Sequence, residues 1–339
     1  MGKQFAKKCG GLPLALIVLG GLLSRKPMNS VAWSRVMQTM DWGTDGEECT
    51  AVISTSYEDL PFALKSCFMY FAAFSEDEEI YVESLIRMWI AEGFVPQGEN
   101  KTLEGIAQSF LEDLAQRSMI QVSKRSFDGS ITFCRMHDLL YGLAIQKAKE
   151  DNFLMACSKI NDVQNCSQTR RMAIHDDSWK ISCNLKEAHA AKHEMEELYG
   201  ESMASKTPNM RSLLSFRLIP KVSQLKHLKV LSHKRWARVD LYEPEMFGRL
   251  NQLRYVELSL EVDRNKDVYN FQKFISGMRF LQTLDLSGGP ICDLPDCIWY
   301  VKTLRHVLLP DYSWHALTSG PLPSAALVNL QTLSGVTNR

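Results

Sequence analysis

His137 is the residue around which the sequence most clearly sets up chemistry. It stands in Phe133-Cys134-Arg135-Met136-His137-Asp138-Leu139-Leu140. The alternation from Ile131 to Met136 predicts a short strand, and Leu139, Leu140, Leu143 and Ala144 then fall at helical spacing. An imidazole is therefore expected at a strand-to-helix corner. Asp138 is expected as the helix N-cap, its carboxylate accepting from the first free backbone N–H groups. A helix N-terminus favours anions, so this corner is a candidate anion contact. A structural histidine beside an ordinary cap satisfies the same spacing. A second cluster, Cys183 with His189 and His193, places two imidazoles four residues apart on an expected helix from Leu185 to Tyr199. A zinc-protease helix needs Glu directly after its first His, and Ala190 is there, so a solvated face is the better reading and no metal site is expected. No activated nucleophile or paired base is apparent elsewhere, and the chain is not expected to be an enzyme.

The elements that must hold His137 can be read outward from it. Met119–Val122 and Ile131–Cys134 read as two strands joined by a turn at Asp128-Gly129. Before them come three apolar-faced helices, one begun by Pro61, one carrying Val82, Leu85, Ile86, Trp89 and Ile90, and one capped by Thr102. Helices followed by a hairpin make a winged helix, assigned to residues 43–149. Direct DNA binding is the rival use of that architecture. Residues 43–149 hold 9 Lys and Arg against 17 Asp and Glu, a net of −8, and the helix that would enter a groove offers only Arg87. Such a surface repels phosphates, so no direct nucleic-acid contact is expected.

Residues 1–42 read as the end of a helical domain. Pro13 suits the first turn of a helix. Leu14, Leu16, Ile17, Leu19, Leu22 and Leu23 make that helix apolar nearly all round, so burial is expected, with Gly20-Gly21 suited to close backbone approach. Ser30 is expected to cap the next helix, through Met40. Lys3, Lys7 and Lys8 before the apolar run imitate a signal peptide, but Ser24-Arg25-Lys26 follows at once without a small-residue cleavage site. The run is also too short to span a bilayer.

Residues 150–168 read as a polar linker, and Arg170–His175 as the first strand of a repeat domain, 169–339. Leu228, Leu253, Leu281, Leu304 and Leu330 head units at intervals of 25, 28, 23 and 26, with Leu213 only 15 residues earlier. Leu281-Gln282-Thr283-Leu284-Asp285-Leu286 is the clearest unit. Leucines at positions 1, 4 and 6 should point inward and be buried jointly by stacking. Tyr255, Glu257, Thr283, Asp285, His306 and Leu308 should then lie on the opposite, concave face, a candidate recognition surface. The fold class is thus multidomain: an α-helical winged-helix region with a small β-hairpin, followed by an α/β leucine-rich-repeat solenoid.

Composition agrees with a folded, cored protein. Of 339 residues, 45% are hydrophobic and 23% charged, and 39 Lys and Arg balance 39 Asp and Glu, so there is no overall bias toward nucleic acid or acidic membranes. Nine cysteines without a Cys-x-x-Cys point to reduced thiols in a cytosolic or nuclear compartment.

Four motifs, in order, carry a family resemblance: Gly11-Leu12-Pro13-Leu14; Ser56-Tyr57-Glu58-Asp59-Leu60-Pro61 running on to Phe74-Ser75-Glu76-Asp77; Trp89-Ile90-Ala91-Glu92-Gly93-Phe94; and Met136-His137-Asp138. With the repeats behind them, the chain resembles plant coiled-coil-type NB-ARC leucine-rich-repeat (NLR) disease resistance proteins. The resemblance implies that residues 1–42 end the helical domain of the NB-ARC module. It implies ADP or ATP as the cofactor of the full-length family, with Leu12 and Pro13 against the base and ribose and His137 on the β-phosphate. It further implies a pathogen effector or host guardee as partner of the repeats, a nucleotide-binding lobe as intramolecular partner, and a cytoplasmic location, with membrane or nuclear association through partners. The sequence departs from the family in having no Gly-x-x-x-x-Gly-Lys-Ser/Thr loop and in Ser75 where proline is usual. Both termini read as cut. A truncated repeat protein acting as adaptor or decoy, without nucleotide, is the alternative.

Overall fold

The computed structural model describes residues 2–40, 42, 48–157, 169–175, 207–215, 222, 225–238, 250–261, 275, 277–289, 296–310 and 328–335. The chain divides into two compact units, Met1–Asp151 and Asn152–Arg339.

The first unit opens with α1 (Gly2–Lys8), α2 (Pro13–Ser24) and α3 (Ser30–Thr39). Gly10 and Gly11 turn the chain between the first two at φ +59° and +75°, conformations that cost glycine nothing. Pro13 is the first residue of α2, where its missing N–H leaves no bond unmade. The cap of α3 is Asn29, whose side chain accepts from the Ala32 N–H at 2.8 Å; Ser30, expected there, is the first helical residue. Either side chain can cap, and the longer Asn reaches the third N–H from one position earlier.

Next come α4 (Glu48–Glu58), α5 (Phe62–Met69), a 3₁₀ turn at Tyr70–Ala73, β1 (Ile80–Tyr81), α6 (Val82–Glu92), α7 (Leu103–Gln116), β2 (Gln121–Arg125), β3 (Ile131–Arg135) and α8 (Asp138–Glu150). Gly93 ends α6 at φ +86°, its N–H and that of Phe94 returning to the last carbonyls. Thr102 caps α7 as expected, accepting from Gly105 N–H at 3.1 Å. The β2–β3 turn uses Gly129 at φ +85°, and Asp128 Oδ1 accepts from the Ser130 N–H and hydroxyl. The hairpin gains a third strand that sequence reading missed: β1 pairs antiparallel with β3, Ile80 opposite Cys134. Two residues are too few for alternation to register. Phe68, Phe71, Phe74, Leu85, Met88, Trp89, Leu111 and Leu114 make the core of this unit, all essentially without solvent contact.

The strands of the second unit are β4 (Met155–Cys157), β5 (Arg171–Ile174), β6 (Ser212–Ser215), β7 (Val230–Arg238), β8 (Tyr255–Glu261), β9 (Thr283–Asp285), β10 (His306–Leu308) and β11 (Thr332–Ser334). They form one parallel sheet in which spatial order equals chain order. β4 lies inside the segment read as a linker. It pairs Met155–Cys157 with Met172–Ile174, and three residues gave no pattern to read. One register row runs Met172, Leu213, Leu231, Val256, Leu284, Val307. It is buried to within 1% together with the position-1 leucines 228, 253, 281 and 304. Stacking parallel strands joins these side chains into one continuous core that no single unit could close.

Candidate functional site

The first unit positions His137 through its hairpin. Met136, 3% exposed, anchors the end of β3 in the core, and Arg135 Nε donates to Gln121 Oε1 across the hairpin at 3.0 Å. His137 itself is extended, φ −65° and ψ 144°, and its carbonyl accepts from the Tyr141 N–H at 2.8 Å. It therefore occupies the N-cap position, and Asp138, expected there, is the first helical residue. The helix begins one residue earlier than the apolar spacing implied, which moves the cap back by one. Tyr141 fixes α8 from its first turn, its hydroxyl donating to the Phe74 carbonyl at 2.9 Å. Burial, then Glu76 and Glu78, raises the pKa of that phenol, so it stays a donor.

Nδ1 of His137 faces two neighbours. It lies against Asp138 Oδ1, and it is 3.4 Å from the Leu139 N, whose N–H is directed at it. Asp138 Oδ1 accepts that same N–H at 2.6 Å. One ring nitrogen cannot accept from the amide and donate to the carboxylate together. When Nδ1 accepts, Nε2 carries the proton and is a donor. When Nδ1–H serves Asp138, the neutral ring offers Nε2 only as an acceptor, and donation from both nitrogens needs the imidazolium. The side chain is 36% exposed, and Nε2 has no hydrogen-bond partner among the described residues.

Leu12 and Pro13 open α2 as His137 opens α8. Both are exposed, Leu12 at 42%, and with Leu16 and Ile17 they form an apolar stripe along α2. The expectation that α2 is buried all round is thus half right. Ala15, Val18, Leu19, Leu22 and Leu23 are buried and the helix packs on α4, but nothing described covers the opposite face. No hydrogen bond or ion pair among the described residues joins Leu12 or Pro13 to His137. They share a unit through α4, which packs on both α2 and α8.

Two features fasten α2, and the sequence flagged only one. A Cβ on Gly21 would stand 2.6 Å from the backbone carbonyl of Arg117, so the helix approaches the end of α7 as closely as a hydrogen atom permits; Gly20 faces open space. Around this contact lies a charge network. Arg25 bonds Asp113, Lys26 bonds Asp59, and Arg117 reaches both carboxylates, at 3.1 Å to Asp59 and 3.3 Å to Asp113. Arg25 also donates to Gln116 Oε1 at 2.7 Å. Apart from Arg117–Asp113, a helical pair four residues apart, the partners are 33 to 91 positions apart, so no local pattern could have announced the network.

Other expected features fall elsewhere. In α6 only Glu83 and Ser84 escape burial; even Arg87 is 5% exposed, paired with Glu83 at 2.6 Å. The helix has no face to offer a groove. On the sheet, the residues expected on an open concave surface are largely covered. Tyr255, Thr283, Asp285 and His306 are at most 6% exposed, and Glu257 and Leu308 are half-buried. Parallel strands lie about 4.8 Å apart, so partnered side chains pack flank to flank. They bond one another there, with Ser232 and Tyr255 hydroxyls donating to Glu257 Oε2 and His306 Nδ1 3.1 Å from Thr332 Oγ1. Cys183, His189 and His193, with the helix expected to carry them, lie outside the described residues. Among the described residues no group of three His, Cys, Asp or Glu could hold a metal, and no helix is long and apolar enough to cross a membrane. Cys49, Cys67 and Cys134 are buried free thiols, and Cys9 and Cys157 are buried as well.

His137 offers one imidazole able to donate outward, and Leu12 and Pro13 offer an exposed apolar surface. The Leu139 N–H, the second of α8, already serves Asp138.

Residues 73–144 match the winged helix domain of disease resistance proteins. Over 318 residues the chain is 33% identical to the ToMV susceptible protein tm-2 of Solanum lycopersicum, covering 92% of this chain and 35% of that protein. It is 31% identical to the late blight resistance protein R1-A of Solanum demissum, over 98% of this chain and 26% of that one. It is 32% identical to a putative disease resistance RPP13-like protein 2 of Arabidopsis thaliana, over 100% and 37% respectively. The chain thus spans roughly a quarter to a little over a third of the length of the curated relatives it matches.

Proposed function

The chain belongs with the plant disease resistance proteins of the NLR type, and from that premise we propose that it is the regulatory and recognition part of an intracellular immune receptor rather than an enzyme. The observation that carries this reading is His137 at the head of α8, its cap carbonyl engaged and its Nε2 without a partner among the described residues, inside the segment that matches the winged helix of these proteins.

In this reading the winged helix senses nucleotide and the sheet is the inner layer of a leucine-rich-repeat solenoid that binds protein partners. Strand order equal to chain order, with leucines 228, 253, 281 and 304 buried at one repeated position, supports the solenoid. Bound ADP would supply a terminal phosphate carrying negative charge. His137 answers it from Nε2 once Nδ1 accepts from Leu139 N–H, and Leu12 and Pro13 provide the apolar wall for base and ribose. The remaining contacts belong to a nucleotide-binding lobe, for which the exposed Leu12, Leu16 and Ile17 stripe is the docking face. The charge network around Gly21 keeps this wall fixed to the winged helix. The location is the cytoplasm.

A charge-assisted bond of this kind is worth about 1.5–3 kcal/mol. Its loss shifts a closed-to-open equilibrium by roughly 10- to 150-fold. His137→Ala, placed in a receptor with a complete nucleotide-binding lobe, should therefore raise elicitor-independent cell death on transient expression in leaves. A variant no more active than its parent rejects the switch role. The repeats would then be read as an adaptor or decoy that works without nucleotide.

A further inference from the structure

The residue immediately before each strand from β5 to β11 forms a ladder. It runs Arg170, Arg211, Lys229, Arg254, Gln282, Arg305, Gln331. The main chain fixes it rigidly. The Arg170 carbonyl accepts from Arg211 N–H at 2.6 Å and Ser212 N–H at 3.2 Å. The Arg211 carbonyl accepts from Lys229 and Val230, the Lys229 carbonyl from Arg254 and Tyr255, and each later rung repeats the pattern. Its first four rungs are all cationic, whereas the last three are glutamine, arginine and glutamine. Two residues before the second, third and fourth rungs stand Asn209, His227 and Gln252. Together Arg170, Arg211, Lys229, Asn209, His227 and Gln252 line a pocket of ≈ 330 Å³, and no carboxylate among the described residues lines it.

Like charges on partnered positions of a sheet destabilise it, so stability alone does not account for this stacking. Arg170 is exposed and Arg211 and Arg254 are half-exposed, and none of the three has an ion-pair partner among the described residues. The charge is local. The whole chain has as many acidic as basic residues, so the row is not the by-product of a basic protein. The lining side chains are hydrogen-bond donors at fixed spacing, and Arg presents planar forks matched to phosphate oxygens. Neighbouring rungs are about 4.8 Å apart, so the first and third roots are separated by roughly 10 Å. A single phosphate spans one or two rungs, and an anion with clustered phosphates spans all three. The volume sits at the lower end of small-molecule sites, about 300–1,000 Å³.

We propose that this pocket at the head of β5, β6 and β7 binds a small anion carrying at least two phosphate groups. The site is separate from the His137 corner and needs neither ADP nor an attached nucleotide-binding lobe.

The test is calorimetric titration of the full chain with sodium tripolyphosphate at physiological ionic strength, beside Arg211→Gln, Arg170→Gln and the control Arg279→Gln. Arg279 is exposed and lies outside the pocket. Saturable binding that weakens about tenfold or more in Arg211→Gln and Arg170→Gln, and is unchanged in Arg279→Gln, supports the proposal. Arg170 is exposed, so its variant keeps the test valid should Arg211→Gln fold poorly. Sedimentation with phosphatidylcholine vesicles containing phosphatidylinositol bisphosphate distinguishes the source of the phosphates. Vesicle binding lost in the two pocket variants, without tripolyphosphate binding, assigns the site to a lipid headgroup. Binding of neither probe overturns the proposal, and so does equal weakening by Arg279→Gln, which would mean that total charge alone attracts the anion.

Discussion

Gly20 and Gly21 are neighbours in one helix, yet alanine should act on them with opposite sign. In a helix interior Ala is favoured over Gly by about 1 kcal/mol. At Gly20 nothing lies within 4 Å of an added Cβ, so this gain is realised and Gly20→Ala should stabilise by about 0.5–1 kcal/mol. At Gly21 the Cβ would meet the carbonyl carbon and oxygen of Arg117 at 2.6 Å and its Cα at 2.8 Å. These are backbone atoms, so no rotamer relieves the clash. α2 must move off the end of α7, and Lys26 and Arg25 move with it from Asp59 and Asp113. Overpacking costs about 1–3 kcal/mol, and a backbone clash belongs at the upper end. Net of the propensity gain, Gly21→Ala should destabilise by about 2 kcal/mol, lowering the melting temperature of this unit by roughly 4–8 °C. Urea and thermal unfolding followed by helical circular dichroism would measure both variants against the parent. A Gly21→Ala protein as stable as Gly20→Ala would refute the close approach, and with it the argument that α2 is locked to the winged helix.

Two further outcomes follow from burial around α8. Burial pushes the Cys134 thiol up to about 12, and raises Cys67 as well. At pH 8 iodoacetamide should therefore leave both unmodified in the folded chain and label them in urea, as mass spectrometry of peptides would show; labelling of native Cys134 at the rate of a free thiol contradicts its placement. Tyr57 is pushed up to about 12, chiefly by burial and then by Asp151, Glu58 and Glu150. A raised folded-state pKa means stability that is whole below pH 10, the unfolded phenol's range, and is lost between about pH 10 and 12. Tyr57→Phe should lose less stability than the parent across that interval, measured as urea midpoints; identical slopes would show that Tyr57 ionises freely in the folded state.

Local spacing was enough to place α2, α3 and α5 to α8 of the first unit, though not α1 or α4, together with the Asp128-Gly129 hairpin and the inward leucines of the sheet. Each depends on periodicities and turn chemistry written within a few residues. The corner that presents His137 was legible for the same reason, and family motifs suggested what it meets. The errors lie one step beyond that range. Asp138 yielded the cap position to His137 because the helix starts one residue earlier than its apolar spacing shows. β1 and β4 escaped notice because two or three residues show no alternation. The face carrying Tyr255, Thr283 and His306 is covered, not open, because burial there comes from neighbours about 25 residues away, bonded across partnered strands.

What the sequence determined by itself is which residues turn inward, because side-chain period and chain geometry are local properties. What only the tertiary structure decided is which distant groups meet. Gly21 became a contact rather than a weak point when α2 reached Arg117. Lys26, Asp59, Asp113 and Arg117 became one network, and scattered residues before strands became a cationic ladder when the sheet brought them into register. Those meetings depend on the path of the whole chain, and each is fixed by burial and backbone bonding summed over many elements at once.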